Sequence, residues 1–194
     1  RTQEYVHSEA VRYIEETGDP QKIHLRTLRL NIMNKYQAES QKVRIQYSSK
    51  NANVANAWKK WQGEVKGIRK MNTVRNKQEF EAAFKKWAEG GEFDGVVEKI
   101  EDIYRQLEPY SYTVDYINET VAAIELPEFA TEIAGCYMIG LDNLVGFDQE
   151  KAAGLIDAFY RDYHLPIDKE VFIAMMNEYE KNMPEEFKPQ YYKD

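Results

Sequence analysis

A single cysteine, Cys136, stands in the 194 residues, so no disulfide can close within the chain. The disulfide framework that argues for a secreted or periplasmic home is absent, although such a home is not excluded. No apolar stretch approaches the roughly 18 residues of a membrane-spanning helix. The first residues do not read as a charged-then-apolar signal peptide. Histidine is scarce: His7, His24 and His164 stand far apart and in no metal-ligand spacing, so each reads as a surface or helix-end residue. Paired E-x-x-H motifs of a dimetal bundle are missing, as is the G-x-x-x-x-G-K-[ST] loop that cradles phosphate. No metal and no cofactor is expected.

Nucleophilic catalysis is equally short of parts. The serines are Ser8, Ser40, Ser48, Ser49 and Ser111, and none sits in the glycine-rich turn that exposes a nucleophile beside an oxyanion hole. Cys136, in A-G-C-Y-M-I-G, reads as packed core within an apolar helix. The pairs Glu15-Glu16 and Glu185-Glu186 are adjacent, and neighbours on a helix point to different sides. No catalytic residue is assigned to this chain.

What is present is a soluble globular composition: 43% hydrophobic, 13% aromatic and 30% charged residues, with a net charge of -7. The length suffices for one domain, or at most two small ones. Charge is unevenly shared. Residues 1–77 carry +9 and residues 78–194 carry -16. That split favours docking of the basic half onto the acidic half, or a basic face turned toward another partner. The chain opens on Arg1 rather than Met, and reads as a section of something longer.

The dominant period is helical. Phe93, Val96, Val97, Ile100, Ile103, Tyr104 and Leu107 form one apolar stripe; Leu155 to Tyr163 and Ile167 to Tyr179 form two more; Phe80, Phe84 and Trp87 mark a shorter helix. Thr17-Gly18-Asp19-Pro20 is expected to stop a first helix, with Asp19 as the next cap and Pro20 at the first helical position. Gly90-Gly91, Glu108-Pro109, Leu126-Pro127, Val145-Gly146 and Leu165-Pro166 punctuate the rest. Asp168 or a neighbour is expected to cap the last long helix. One long helix from about 20 to 50, then another through Trp58 and Trp61, fits the proline-free stretch that follows Pro20. Lys42 to Tyr47 alone alternates in a strand-like way. The expected fold is all-α, a multi-helix domain of about eight helices with essentially no sheet.

The segment Lys42 to Asn72 holds eight Lys or Arg and one acid, Glu64. Nucleic acid is disfavoured as its partner, because the chain as a whole is acidic. Two readings stay open: a helix packed by Tyr47, Trp58 and Trp61 with solvated lysines, or a face lining a peptide or partner site.

The same segment carries a resemblance. K-V-R-I-Q-Y-S-S-K-N-A, then N-A-W-K-K-W-Q-G-E, then K-G resemble the helical domain of the S46 serine dipeptidyl peptidases. The matching residues are Lys42, Arg44, Ile45, Gln46, Tyr47, Ser49, Lys50, Ala52, Asn56, Trp58, Lys59, Gly63, Lys66 and Gly67. Arg1-Thr2 resembles the end of the G-x-P-G-R-T stretch leading into that domain, and Phe84 and Trp87 fit an F-x-x-W. The resemblance is specific over about 1–90 and architectural beyond.

It implies a bacterial exopeptidase that releases dipeptides from peptide N-termini, with Ser, His and Asp on a chymotrypsin-like double β-barrel and a helical domain inserted between the triad Asp and Ser. On this reading residues 1–194 are a single helical cap domain that closes over the cleft. The G-N-S-G-S-P nucleophile stretch and the barrel lie outside this chain. Peptide substrate and the catalytic barrel are then its partners, and the periplasm or cell surface of a bacterium its location. Asn56, Trp58, Lys59, Tyr47 and Lys50 are expected to face the cleft or hinge. The rival from another class is a free-standing helical protein–protein interaction module.

Overall fold

The computed structural model describes residues 5–140 and 143–189, the side chains of 138–140 and 143–145 excepted. Among the described residues the chain forms eight α-helices: α1 Ser8–Tyr13, α2 Asp19–Glu39, α3 Gln41–Lys70, α4 Thr73–Ala88, α5 Val96–Glu119, α6 Glu125–Ala134, α7 Gln149–Asp162 and α8 Leu165–Asn182. A hairpin of β1 Tyr137–Gly140 and β2 Asn143–Phe147 completes it. The fold is all-α, as its apolar periods predict. No described helix is long and apolar enough to cross a membrane.

Two compact units interleave along the sequence. The first takes Arg1–His24, Asn56–Tyr116 and Pro184–Asp194, the second Leu25–Ala55 and Ile117–Met183. Neither coincides with the basic or the acidic half.

In the first unit α1 does not stop at Gly18. A π-turn, Ile14–Gly18, joins it to α2, with Asp19 N–H donating to the Ile14 carbonyl. The wider turn absorbs Pro20, whose missing N–H would otherwise interrupt the ladder. Asp19 is therefore a buried helix residue rather than a cap. Burial pushes its carboxyl up in spite of Lys22 at 3.0 Å. Gly18 is required here, because a Cβ would lie 2.8 Å from the Tyr13 ring.

Glu81 on α4 is the buried anchor of the N-terminal segment. It accepts from Ser8 Oγ at 2.5 Å, Ser8 N–H at 2.7 Å and Tyr5 Oη at 2.7 Å. Burial alone would raise its carboxyl, but these donors outweigh burial and hold it below the ordinary 4.5. A carboxyl so depressed stabilises the fold fully above its unfolded value, and that contribution is lost as pH falls through the folded value. Glu81→Gln is expected to cost about 2 kcal/mol at pH 7, since buried donors lose a charged acceptor. The gap to wild type should close as denaturant midpoints are followed from pH 7 down to about 3. A gap constant across that range would contradict this assignment.

Helix α5 runs unbroken through Pro109, contrary to the break expected at Glu108-Pro109. Pro109 removes one backbone donor, and its own carbonyl accepts from Thr113 Oγ1 at 2.8 Å. Helix α4 ends before Gly90, whose φ of 70° suits the tight turn expected at Gly90-Gly91.

In the second unit Leu25, Tyr47, Ile124, Ile167 and Met175 are buried. The helix expected to run from about 20 to 50 breaks at Ser40, whose Oγ accepts from Val43 N–H and so opens α3. Lys42 to Tyr47, the strand-like stretch, lies inside that helix. Arg26 grips Glu119 with two hydrogen bonds of 2.8 and 2.7 Å. The hairpin pairs Tyr137 with Phe147, rings 4.8 Å apart. Val145-Gly146, read as a break between helices, falls inside β2. Cys136 is buried, as expected, but in the turn after α6 rather than in a helix. Asp168 sits in the first turn of α8 without capping it, since His164 is the N-cap there.

Candidate functional site

Asp168 caps a different helix. Its carboxylate, 4% exposed, accepts from the N–H groups of Glu125 and Leu126 at 2.8 and 3.1 Å, closing the start of α6. Tyr163 Oη adds a third donor at 3.2 Å. Burial first, then the Asp168 charge, pushes the Tyr163 hydroxyl up to about 12.

With α6 fixed in this way, Glu125 is presented to α3. Lys50 Nζ lies 2.6 Å from Glu125 and 2.9 Å from Asp162, so one ammonium bridges α6 and α7. Burial works against its charge, and the two carboxylates outweigh burial and hold its pKa above the ordinary value. Beneath it lies Tyr47, ring centroid 4.7 Å from Nζ. The Tyr47 hydroxyl accepts from His164 N–H at 3.3 Å. Burial is the main reason its pKa is strongly raised, with the Glu125 charge behind it.

Over this network opens a cavity of about 550 Å³. Its wall is aromatic on one side, where Phe129 and Phe159 stack at 4.0 Å and 11°. Met33, Val54, Leu155 and Val171 supply further apolar surface. The rim is acidic. Glu128 and Glu132 join Glu125, Asp162 and Asp168, against the two cations Arg29 and Lys50. Arg29 is nearly enclosed, and burial lowers its pKa while Glu119 at 3.6 Å works against that. No serine, histidine or cysteine is among the described lining residues. An apolar body with a positively charged group fits this arrangement, with the charge set against the rim and the body on the stacked rings.

Of the residues expected at the site, the structure brings together Tyr47 and Lys50. Lys50 lines the cavity, whereas Tyr47 is wholly buried under it and can act only through its neighbours. Asn56, Trp58 and Lys59 follow on α3 where the helix belongs to the first unit, Asn56 and Lys59 exposed and Trp58 half-buried. The carboxylates around Lys50 were missed. Glu125, Glu128 and Glu132 do stand at helical spacing on α6, and that row of acids was the available signal.

A group with metal-ligand character occurs in the first unit: His7, Glu81 and Glu101, ligand atoms within 4.8 Å of one another. Its carboxylates are engaged, whereas His7 Nε2 is buried without a hydrogen-bond partner, 3.6 Å from Glu81 Oε1. Glu81 serves Ser8 and Tyr5, Lys85 holds Glu101 at 2.8 Å, and His7 Nδ1 accepts from Glu9 N–H. Two serine hydroxyls have fixed bonds: Ser8 donates to the Glu81 carboxylate and Ser48 to the Ile45 carbonyl.

Comparison with known proteins places the chain. A family model described as Peptidase S46 matches residues 1–194. An Asp/Glu-specific dipeptidyl-peptidase of Flavobacterium psychrophilum is 32% identical, over 97% of this chain and 28% of the relative. One of the same description from Capnocytophaga gingivalis is 30% identical, over 94% and 27%. Dipeptidyl-peptidase 7 of Porphyromonas gingivalis is 25% identical, over 93% and 25%. The chain thus spans about a quarter of the length of these relatives. With a match running from the first residue to the last, the chain belongs to the peptidase S46 family.

Proposed function

We propose that residues 1–194 are the non-catalytic helical cap of a bacterial serine-type dipeptidyl peptidase, closing over a cleft that a catalytic domain elsewhere in the longer protein provides. The observation that carries this reading is the family match along the whole chain combined with coverage of only about a quarter of the relatives. Peptide substrate is the partner, and the periplasm or cell surface the location.

A cap contributes by excluding water and positioning substrate, not by supplying a nucleophile. The α3 residues suit that work. Asn56 and Lys59 offer exposed polar groups without fixing a sequence, and Trp58 offers a rigid flat surface. Lys50, held by two carboxylates, fixes the cavity rim, and Tyr47 supports it from below.

In the full-length gene product, Trp58→Ala is expected to raise KM or lower kcat for dipeptide release about tenfold, a loss of about 1.4 kcal/mol of transition-state stabilisation, with the melting temperature little changed. Kinetics identical to wild type would remove α3 from the cleft.

A further inference from the structure

The cavity of the second unit holds more acid than its own structure uses. Lys50 engages Glu125 at 2.6 Å and Asp162 at 2.9 Å, and Asp168 is occupied by the N–H groups of Glu125 and Leu126. Glu128 and Glu132 remain. Both line the cavity and are exposed, and among the described residues neither enters an ion pair. One turn apart on α6 they repel each other, so the fold alone gives no reason for the pair. Beside them on the same helix stands Phe129, stacked on Phe159, which stacks in turn on Tyr163 at 4.4 Å. Unpaired carboxylates and aromatic rings both attract a cation. Arg29 makes the opposite demand. Its side chain is 12% exposed, and its Nε is buried with no hydrogen-bond acceptor among the described residues. A buried donor in that state favours a ligand that brings an acceptor oxygen. A bare metal ion brings none, and Arg29 and Lys50 repel it.

We propose that the cavity receives a basic side chain, arginine above all, from a peptide residue beyond the scissile bond. The guanidinium lies along Phe129 against Glu128 and Glu132, and a backbone carbonyl of the same peptide accepts from Arg29 Nε. Arginine suits the site better than lysine, because its flat group stacks on a ring and offers carboxylates parallel donors. A cavity of about 550 Å³ falls within the roughly 300–1,000 Å³ of ordinary ligand sites. The inference rests on the cap reading: a cap that closes over bound peptide meets the part that continues past the first two residues. Glu128 and Glu132 then select among peptides and take no part in the chemistry.

The test uses the full-length gene product and alanine-based hexapeptides with a free N-terminus. Arginine is walked from the third position to the sixth, each peptide against its glutamine counterpart. At low salt one position should favour arginine about tenfold in kcat/KM, as an ion pair with a stacking contact allows. The ratio should shrink as salt is raised. Glu128→Gln combined with Glu132→Gln should bring it close to unity. Glu128→Lys combined with Glu132→Lys should reverse the preference, so that glutamate exceeds arginine at the same position. Both side chains are exposed, so melting temperatures should stay near wild type. No arginine preference at any position, or a preference that survives both double variants, would overturn the proposal. Failure of the cap reading is seen separately, as a reactive serine inside residues 1–194, because the arginine ratio is measured whichever serine reacts.

Discussion

Replacing Asp168 by alanine is expected to destabilise the protein by about 3 kcal/mol: about 1 for the lost helix cap and the rest for buried donors left without an acceptor. The carboxylate is 4% exposed and serves Glu125 N–H, Leu126 N–H and the Tyr163 hydroxyl together. Water cannot replace it readily at that depth. Asp168→Asn keeps the shape and one good acceptor, so it should fall between the two. Denaturant midpoints at pH 7 order the three proteins, and amide exchange shows where the loss lies. Protection should drop first at Glu125 and Leu126. Equal stability of wild type and the alanine variant would mean that α6 is closed by something other than Asp168.

The second large effect belongs to Tyr47. Truncation to alanine should cost about 4 kcal/mol, as for other large aromatic side chains removed from a core. Tyr47→Phe keeps the ring and removes only the hydroxyl that accepts from His164 N–H, so it should cost about 1–2 kcal/mol. The split between the two substitutions separates packing from hydrogen bonding. If phenylalanine costs as much as alanine, the hydroxyl network dominates, and the ring beneath Lys50 contributes little.

These two positions also mark how far the sequence could be read. Helical periods located α4, α5, α7 and α8, because apolar residues at three and four spacing line one face of a helix. Tyr47 and Lys50 were visible through the motif that carries them. Their partners were not. Glu125, Asp162 and Asp168 lie 75 to 121 residues away, and a lone chain says nothing about which acid answers which lysine. Asp168 stood beside a helix start and was read, with its neighbours, as a candidate cap of that helix, when tertiary packing gave it to α6 instead.

Prolines misled in a consistent way. Pro20 and Pro109 both stand where local rules end a helix, and both are carried through, one by a π-turn and one by a single missing hydrogen bond. Local propensity is outweighed when long helices are held elsewhere along their length. The hairpin at Tyr137–Phe147 was hidden by a short apolar run that reads equally well as helix or strand. Least legible of all was the direction of the α5 stripe, whose Ile103 and Leu107 lie exposed, since periodicity shows that a face is apolar and not what it faces.

The most direct test of the cap reading is to find which serine does the chemistry. The full-length gene product would be treated with a fluorophosphonate probe until dipeptide release from a peptide with a free N-terminus stops, and the labelled peptide then mapped by mass spectrometry. The cap reading predicts one labelled serine, outside residues 1–194. A label on Ser8, Ser40, Ser48, Ser49 or Ser111 would contradict it and place the catalytic centre within this chain.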